Sequence, residues 1–486
     1  MTRKSRARIL TAASIALLTS SADLIAQAPA KPLLPDAPLA RLIAQSAIQS
    51  DTQPVIPAPS AGTGQSPAAL ASTQPSTSNP RLTRAEAEAK AIKNNPRVTV
   101  ARLLALAQHQ VVRETRAAEL PTGLASITAV DAENATRISA GALTSSRLFE
   151  HAGAGGGFTQ LITDFGRTRN LVASSKLQEK AQNASALATT EDIVIATDQA
   201  FYNALQAQAL LKVAQQNVDT RQTTDTQVNE MTKNKLKSTL DSSFADVTLS
   251  QAKLLSLDAQ NNADSTMAAL DAVLGLDRQV TYQLVDDNAP LQPPPPDVDN
   301  LVQTGLQQRP DLQALHYDQQ AAVKFSHAQH DQLFPTISAA GTAGSVPIRP
   351  AEYYVANWWG AIGVNMNIPV FNGFLYTSQA KEASIRAEAA SEQSRDLRDQ
   401  IVRDIRTSWL AANTAYQRVA VTAELLKQAN LALGLAQTRY QLGLSSIVEL
   451  SQAQFQQTDA AIGNTNAQYQ YRLALATLNY QIGATP

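Results

Sequence analysis

Several short stretches carry residue types that could do chemistry. Gly153–Gly157 reads GAGGG, a run able to wrap an anion, but it lacks the Gly-Lys-Ser/Thr ending and following helix of a phosphate-binding loop. It reads instead as the glycine-rich start of a strand. Asp164-Phe165-Gly166 spells the metal-holding triplet of protein kinases, yet no catalytic-loop sequence or glycine-rich partner accompanies it. His327 and His330 share one helix face, and His316 falls about 16 Å away along the same helix. Two imidazoles make too small a ligand set for a structural metal. No Ser/His/Asp constellation or acid pair has a pocket to occupy. The 486 residues hold no cysteine, which excludes disulfides, thiolate catalysis, zinc–thiolate sites, iron–sulfur clusters and a lipid-modified cysteine within them. No cofactor, metal or enzymatic activity is expected.

The elements that must position these residues are long and polar. Forty Lys and Arg stand against 41 Asp and Glu, a balance that argues against a nucleic-acid surface. Aromatics make up only 5%, too few for a large conventional core, while Ala, Gln, Leu, Asn, Ser and Thr dominate, as in long helices with small interfaces. Arg3, Lys4, Arg6 and Arg8 precede a short apolar run, Ile9–Leu18, and Ala26-Gln27-Ala28 fits a small-x-small cleavage site. Residues 1–28 therefore read as a secretory signal. Residues 29–80, rich in Pro, Ala, Ser and Gln, read as a disordered linker.

The rest of the chain repeats itself. The interval from Pro96 to Pro310 equals that from Pro121 to Pro335. The interval from Gly166 to Gly373, or from Gly275 to Gly483, is six or seven residues shorter. A length change confined to one place marks a surface loop between two otherwise constant copies. The copies span 81–275 and 297–483, and the connector 276–296 contains Pro293–Pro296.

Each copy predicts the same succession. A short helix is followed by one that starts at Pro96 or Pro310 and stops before Pro121 or Pro335. A β-hairpin comes next, with loops near 132–154 and 345–357 and strands of about ten residues, the length of a tilted bilayer-crossing strand. Phe149, Phe158, Tyr353, Tyr354, Trp358 and Trp359 lie at or beside the loop ends, where an aromatic girdle would meet the membrane interface. After Gly166 and Gly373 apolar residues recur at sevens: Leu187, Val194 and Phe201; Ala204, Leu211 and Val218; and Ala412, Val419, Leu426 and Leu433. Each run breaks once, near 235–238 and 443–446, so each is a coiled-coil hairpin on the order of 100 Å long. Two hairpins give four strands, too few to close a barrel, and lipid does not tolerate open edges. Several chains must share one barrel: two would fill it with side chains, and three would leave a lumen.

At this point the chain resembles the TolC-like outer-membrane efflux protein family. The resemblance covers about 81–483 and rests on NNP (94–96) with its helix, DFG and FNG where strand turns to helix, and RYQLGLSSIVELSQAQ (439–454). It implies an α+β membrane protein of two tandem repeats, assembled as a homotrimer. A twelve-stranded β-barrel would sit in the cell outer membrane, among its lipids, above an α-helical tunnel reaching into the periplasm. It also implies the partners: a periplasmic adaptor (membrane fusion protein) and an inner-membrane transporter of the RND, ABC or MFS class. The chain stops three residues past Gly483, so little of the family's collar is expected beyond the last helix.

The family's gate residues carry over by position. Its gate tyrosine falls on Tyr440 and the partner aspartate on Asp241, a pair able to hydrogen-bond between helices and hold the tunnel closed. The reinforcing arginine falls on Ser445, leaving Lys237, at the equivalent place in copy one, as a substitute. Of two ring-forming aspartates, one falls on Glu449 and the other on Gln452. The adaptor-docking tips fall on Leu236, Ser238, Gly443, Leu444 and Ser446. Read without the family, Asp241 and Glu449 are acids near helix N-termini, where acids are common. The expected function is a passive outer-membrane channel of a tripartite efflux or type I secretion system. The alternative is a periplasmic coiled-coil scaffold or adaptor without a pore.

Overall fold

Capping residues decide where the helices begin. The computed structural model describes residues 80–131, 137–140, 143–147, 151–276, 282–286, 290–348 and 357–484; the expected signal and nearly all of the expected linker lie outside them. A two-residue strand, β1 (Arg81–Leu82), leads to α1 (Arg84–Asn94). Here Thr83 and Glu86 form a reciprocal capping box. Asn95 ends α1 and caps α2 (Pro96–Ala117), whose first residue is a proline with no N–H to strand. The chain then crosses in β2 (Thr122–Val130), makes the small hairpin β3 (Arg137–Ala140) and β4 (Leu143–Arg147), and returns in β5 (His151–Thr163). It leaves as α3 (Arg167–Lys233) and comes back as α4 (Thr239–Val273).

The connector contributes β6 (Gln283–Leu284), parallel to β1. Copy two follows with α5 (Val298–Gln308), α6 (Pro310–His330), β7 (Thr336–Ile348), β8 (Trp358–Asn367), α7 (Leu375–Gln441) and α8 (Ile447–Gln481). The long helices match between copies: α3 and α7 have 67 residues each, α4 and α8 have 35 each. At 1.5 Å per residue the longer pair runs about 100 Å.

Two details differ from the sequence reading. The GAGGG run lies inside β5, paired on both sides, rather than in the loop that sequence placed up to 154. Weak strand propensity is overridden there by two flanking ladders. The equivalence of Gly166 with Gly373 is also one residue out of register. Both strand-to-helix turns need two successive left-handed residues: Phe165 (φ 55°) and Gly166 (φ 115°) in copy one, Gly373 (φ 65°) and Phe374 (φ 65°) in copy two. The same turn is written FG once and GF once, so Gly166 corresponds to Phe374.

The strands form one antiparallel sheet in the order β2-β5-β7-β8. Its register separates two faces. One carries Gly123, Ala125, Ile127, Phe158, Ile337, Ala339, Gly341, Ala343, Ile362, Val364 and Met366. The other carries Thr122, Ser126, Thr128, Thr159, Ser338, Thr342, Asn365 and Asn367, interspersed with Leu124, Leu161 and Trp359. Among the described residues nothing pairs with the outer edges of β2 and β8.

The helices bury small residues between them. α3 packs against α2, α4, α6 and α8, and α7 against α5, α6 and α8. Val194, Phe201, Ala204 and Ala412 of the expected heptads are buried, but Leu187 is 61% exposed, because it faces away from the helices beside α3. The connector is lashed to α8: Tyr469 and Arg472 both bond Asp286, and Tyr471 donates to the Gln292 carbonyl. Among the described residues no helix is long and apolar enough to cross a membrane.

Candidate functional site

The two helical tips, where α3 turns into α4 and α7 into α8, hold the residues singled out for the gate. Both turns end a long helix with paired backbone bonds. Leu236 N–H reaches the Met231 carbonyl at 2.8 Å, and Leu444 N–H reaches that of Arg439 at 2.8 Å. The residue inside each turn is left-handed, Lys235 at φ 62° and Gly443 at φ 76°. Glycine adopts that conformation freely and lysine does so under strain.

Serine then starts each return helix. The Ser238 hydroxyl accepts from the Leu240 and Asp241 N–H groups, and the Asp241 carboxylate accepts from Ser238 N–H at 3.1 Å. The Ser446 hydroxyl accepts from Glu449 N–H at 3.3 Å. Glu449, equivalent to Asp241 but one methylene longer, faces Arg439 of α7 at 3.4 Å.

Tyr440 is the centre of the site. It is 6% exposed and belongs to an apolar cluster with Val228 and Ala245 from copy one and Ile447 and Leu450 from copy two. The structure brings Lys237 and Asp241 beside Tyr440. The Lys237 ammonium sits 4.3 Å above the Tyr440 ring, a cation–π contact. Burial, and then the charge of Asp241, push the Tyr440 hydroxyl above its ordinary range. The expected Asp241–Tyr440 hydrogen bond is not formed. The Tyr440 hydroxyl is buried without a partner, because Asp241 is committed to its own helix cap. The Ser445 hydroxyl is likewise buried and unpartnered. Glu449 and Gln452 are exposed, as are Leu236, Ser238, Gly443, Leu444 and Ser446. Beside the copy-one tip an open groove of about 550 Å³ runs along the last turns of α3, lined by Thr226, Glu230, Met231 and Leu236 among others.

The aromatics divide. Phe149, Tyr353 and Tyr354 lie outside the described residues. Trp358 lies on the apolar face near the loop end. Phe158 stands mid-sheet over Gly341, where an added Cβ would come within 2.4 Å of its ring. Trp359 turns to the polar face and covers Gly344 and Gly155. Sequence reasoning missed a second aromatic group at the helical end of the sheet: Phe165, Phe334, Phe371 and Phe374, all exposed, with ring pairs Phe165–Phe334 at 6.1 Å and Phe371–Phe374 at 5.7 Å. The signal was present in TDFG, LFPT and VFNGF, each at a strand end.

His330 approaches Asp331 and meets Phe334 edge to face, while His316 lines an open groove between α6 and α7. Among the described residues no cluster of acidic or histidine side chains could hold a metal ion.

A sheet with one apolar face, mounted on helices about 100 Å long, defines an outer-membrane channel fold. Solved structures agree: CusC superposes with a TM-score of 0.73 at 17% identity over 82% of this chain and 92% of its own. The Campylobacter jejuni CmeC outer membrane channel superposes with a TM-score of 0.70 at 18% identity over 88% and 94%. Residues 301–484 match the family described as outer membrane efflux protein. Outer membrane protein TolC of Escherichia coli (strain K12) is 23% identical over 347 residues, 66% of this chain and 69% of its own length. The family match over 301–484, the similarity to TolC and the fold shared with solved channels make this chain an outer-membrane channel with a periplasmic helical tunnel, not a pore-less scaffold.

Proposed function

We propose that the chain works as a homotrimer, the exit duct of a tripartite efflux or type I secretion system, through which solute passes passively. The observation that carries this reading is the four-stranded sheet with both outer edges unpaired and one face apolar. An open edge in lipid leaves backbone groups unsatisfied, so neighbouring copies must complete the barrel. Three copies give twelve strands and a lumen lined by the Thr, Ser and Asn face. Apolar stripes left bare on the helices fit the same assembly. Leu240, Phe244, Val247, Leu254 and Leu257 recur at heptad spacing on α4, as do Val421, Leu425 and Leu435 on α7, all exposed.

The tips close the far end of the tunnel. Tyr440, packed between copies and held under Lys237 beside Asp241, is the clasp. Three Glu449 side chains ring the constriction and favour cations, weakly, since Gln452 carries no charge. Leu236 and Leu444, exposed at the tips with Ser238, Gly443 and Ser446, meet the periplasmic adaptor. An inner-membrane RND, ABC or MFS transporter supplies the energy. The test is single-channel conductance of the purified oligomer in a planar bilayer, with Asp241→Ala alongside. A small, cation-preferring conductance that rises in the variant supports the duct and its clasp. A pore indifferent to the substitution removes the clasp, and silence from verified insertions removes the duct.

A further inference from the structure

Above the tips, the contact between the two copies follows α3 and α8, and side-chain hydrogen bonds lace it. The Tyr480 hydroxyl donates to Asp192 at 2.5 Å, Gln206 to Asn466 at 2.7 Å, and the Thr458 hydroxyl to Asn217 at 3.1 Å. The last of these before the tip involves Arg221, about 18 Å up the helix from Lys233. Arg221, 6% exposed, donates from its guanidinium to the Gln454 side-chain Oε1 at 2.5 Å and to Asn217 Oδ1 at 3.3 Å. Gln454, 3% exposed, donates in turn to the Thr224 hydroxyl at 3.1 Å.

Among the described residues no salt bridge reaches Arg221, and burial lowers its guanidinium from its ordinary range. One helical turn on, Asp225 is 7% exposed, and its Oδ1 meets no donor. Its neighbours are the Asn229 side chain, the like-charged Asp246 of α4 and the oppositely charged Lys253 of α4. Arg221, bonded to Gln454 of α8, and Asp225, facing Asp246 of α4, thus lie a turn apart, and among the described residues neither forms a salt bridge. Burying a charge that is not compensated is costly, and water recovers that cost. The seam is thus least costly to wet here. Below it the copies are joined by the small apolar cluster of Val228, Ala245, Tyr440, Ile447 and Leu450.

We propose that the α3–α8 seam around Arg221 is the joint that yields when the tunnel end loosens, and that Arg221 is the positioning residue that sets how readily it does so. This rests on the channel reading above. The absence of cysteine makes a clean test available. Asn217→Cys with Thr458→Cys places two thiols across the seam. In the bilayer assay the oxidised oligomer should open at least tenfold less often than wild type, and reductant should restore it in the same preparation. A second variant, Arg221→Met with Gln454→Met, replaces the polar bridge by apolar side chains. It should also open at least tenfold less often, and its oligomer should dissociate at a higher temperature. A fully cross-linked oligomer that opens like wild type would show that the seam does not move. An assembled Met pair that opens as often as wild type would remove the role of Arg221; if that pair does not assemble, Arg221→Lys, which keeps the charge and loses the two-acceptor contact, should open more often, and unchanged opening would remove the role equally. Absence of any pore in wild type would overturn the channel reading and this inference with it.

Discussion

At the copy-one tip Ser238 caps α4, and Asp241 answers with its carboxylate to Ser238 N–H. At the copy-two tip Ser446 caps α8, but Glu449 turns away to Arg439. The position of Tyr440 in copy two is held in copy one by Thr232, which folds back onto the Val228 and Ser238 carbonyls. Lys235 strains where Gly443 does not. One backbone has therefore been used for two purposes. The copy-one tip satisfies itself locally and is left with a strained lysine. The copy-two tip sends its tyrosine into the other copy and leaves its acid outward. Duplication supplied the turn, and divergence at a few side chains made one tip the holder and the other the held.

The largest test of this contrast is Tyr440→Ala. It should cost about 3–5 kcal/mol, as for other large aromatic truncations in a core, and raise conductance. The matching Thr232→Ala should cost about 1 kcal/mol through its lost hydrogen bonds. Equal effects on oligomer melting would erase the distinction between the tips. Tyr440→Phe sharpens it further. Because the hydroxyl is buried without a partner, its removal should be neutral or stabilise by up to about 1 kcal/mol. A marked rise in conductance would instead mean that the hydroxyl bonds a neighbouring chain in the oligomer.

Asp241→Ala comes next, at about 1 kcal/mol for the lost cap. Glu449→Ala should cost less than about 0.5 kcal/mol, since its ion pair is exposed. Lys235→Gly should stabilise by about 1 kcal/mol through relief of the left-handed strain, an effect without a counterpart at Gly443. The pH dependence near neutrality belongs to the contact of α3 with α4 rather than to the tips. Asp225 is held above the usual carboxylate range by burial and then by Asp246. An acid raised in the folded state stabilises at low pH and loses that contribution as pH climbs through its folded value. Heat resistance of the oligomer should therefore fall as pH rises above the ordinary Asp range, and Asp225→Asn should flatten that slope.

Much of the architecture was legible because it rests on local signals. Pro96 and Pro310 mark helix starts, and the breaks near 235–238 and 443–446 mark the turns of the long helices, since such signals act within one turn. The hairpins were legible from strand length, but the span of β5 was not, because its glycines hold a strand only through β2 and β7. Leu187 matched a heptad yet lies exposed, because spacing cannot say which faces have neighbours. The proximity of Lys237 to Tyr440 was anticipated only as a substitution for a missing arginine; the cation–π contact itself depends on how two hairpins cross.

By itself, then, the sequence determined the repeat, the order of elements and the break points of the long helices, all consequences of short-range sterics and periodicity. Only the tertiary structure decided that Asp241 would serve its own cap instead of bonding Tyr440, and that Arg221 and Asp225 would be buried a turn apart with no salt bridge among the described residues. Those outcomes depend on competition between groups far apart in the chain, and no local spacing records which of them wins.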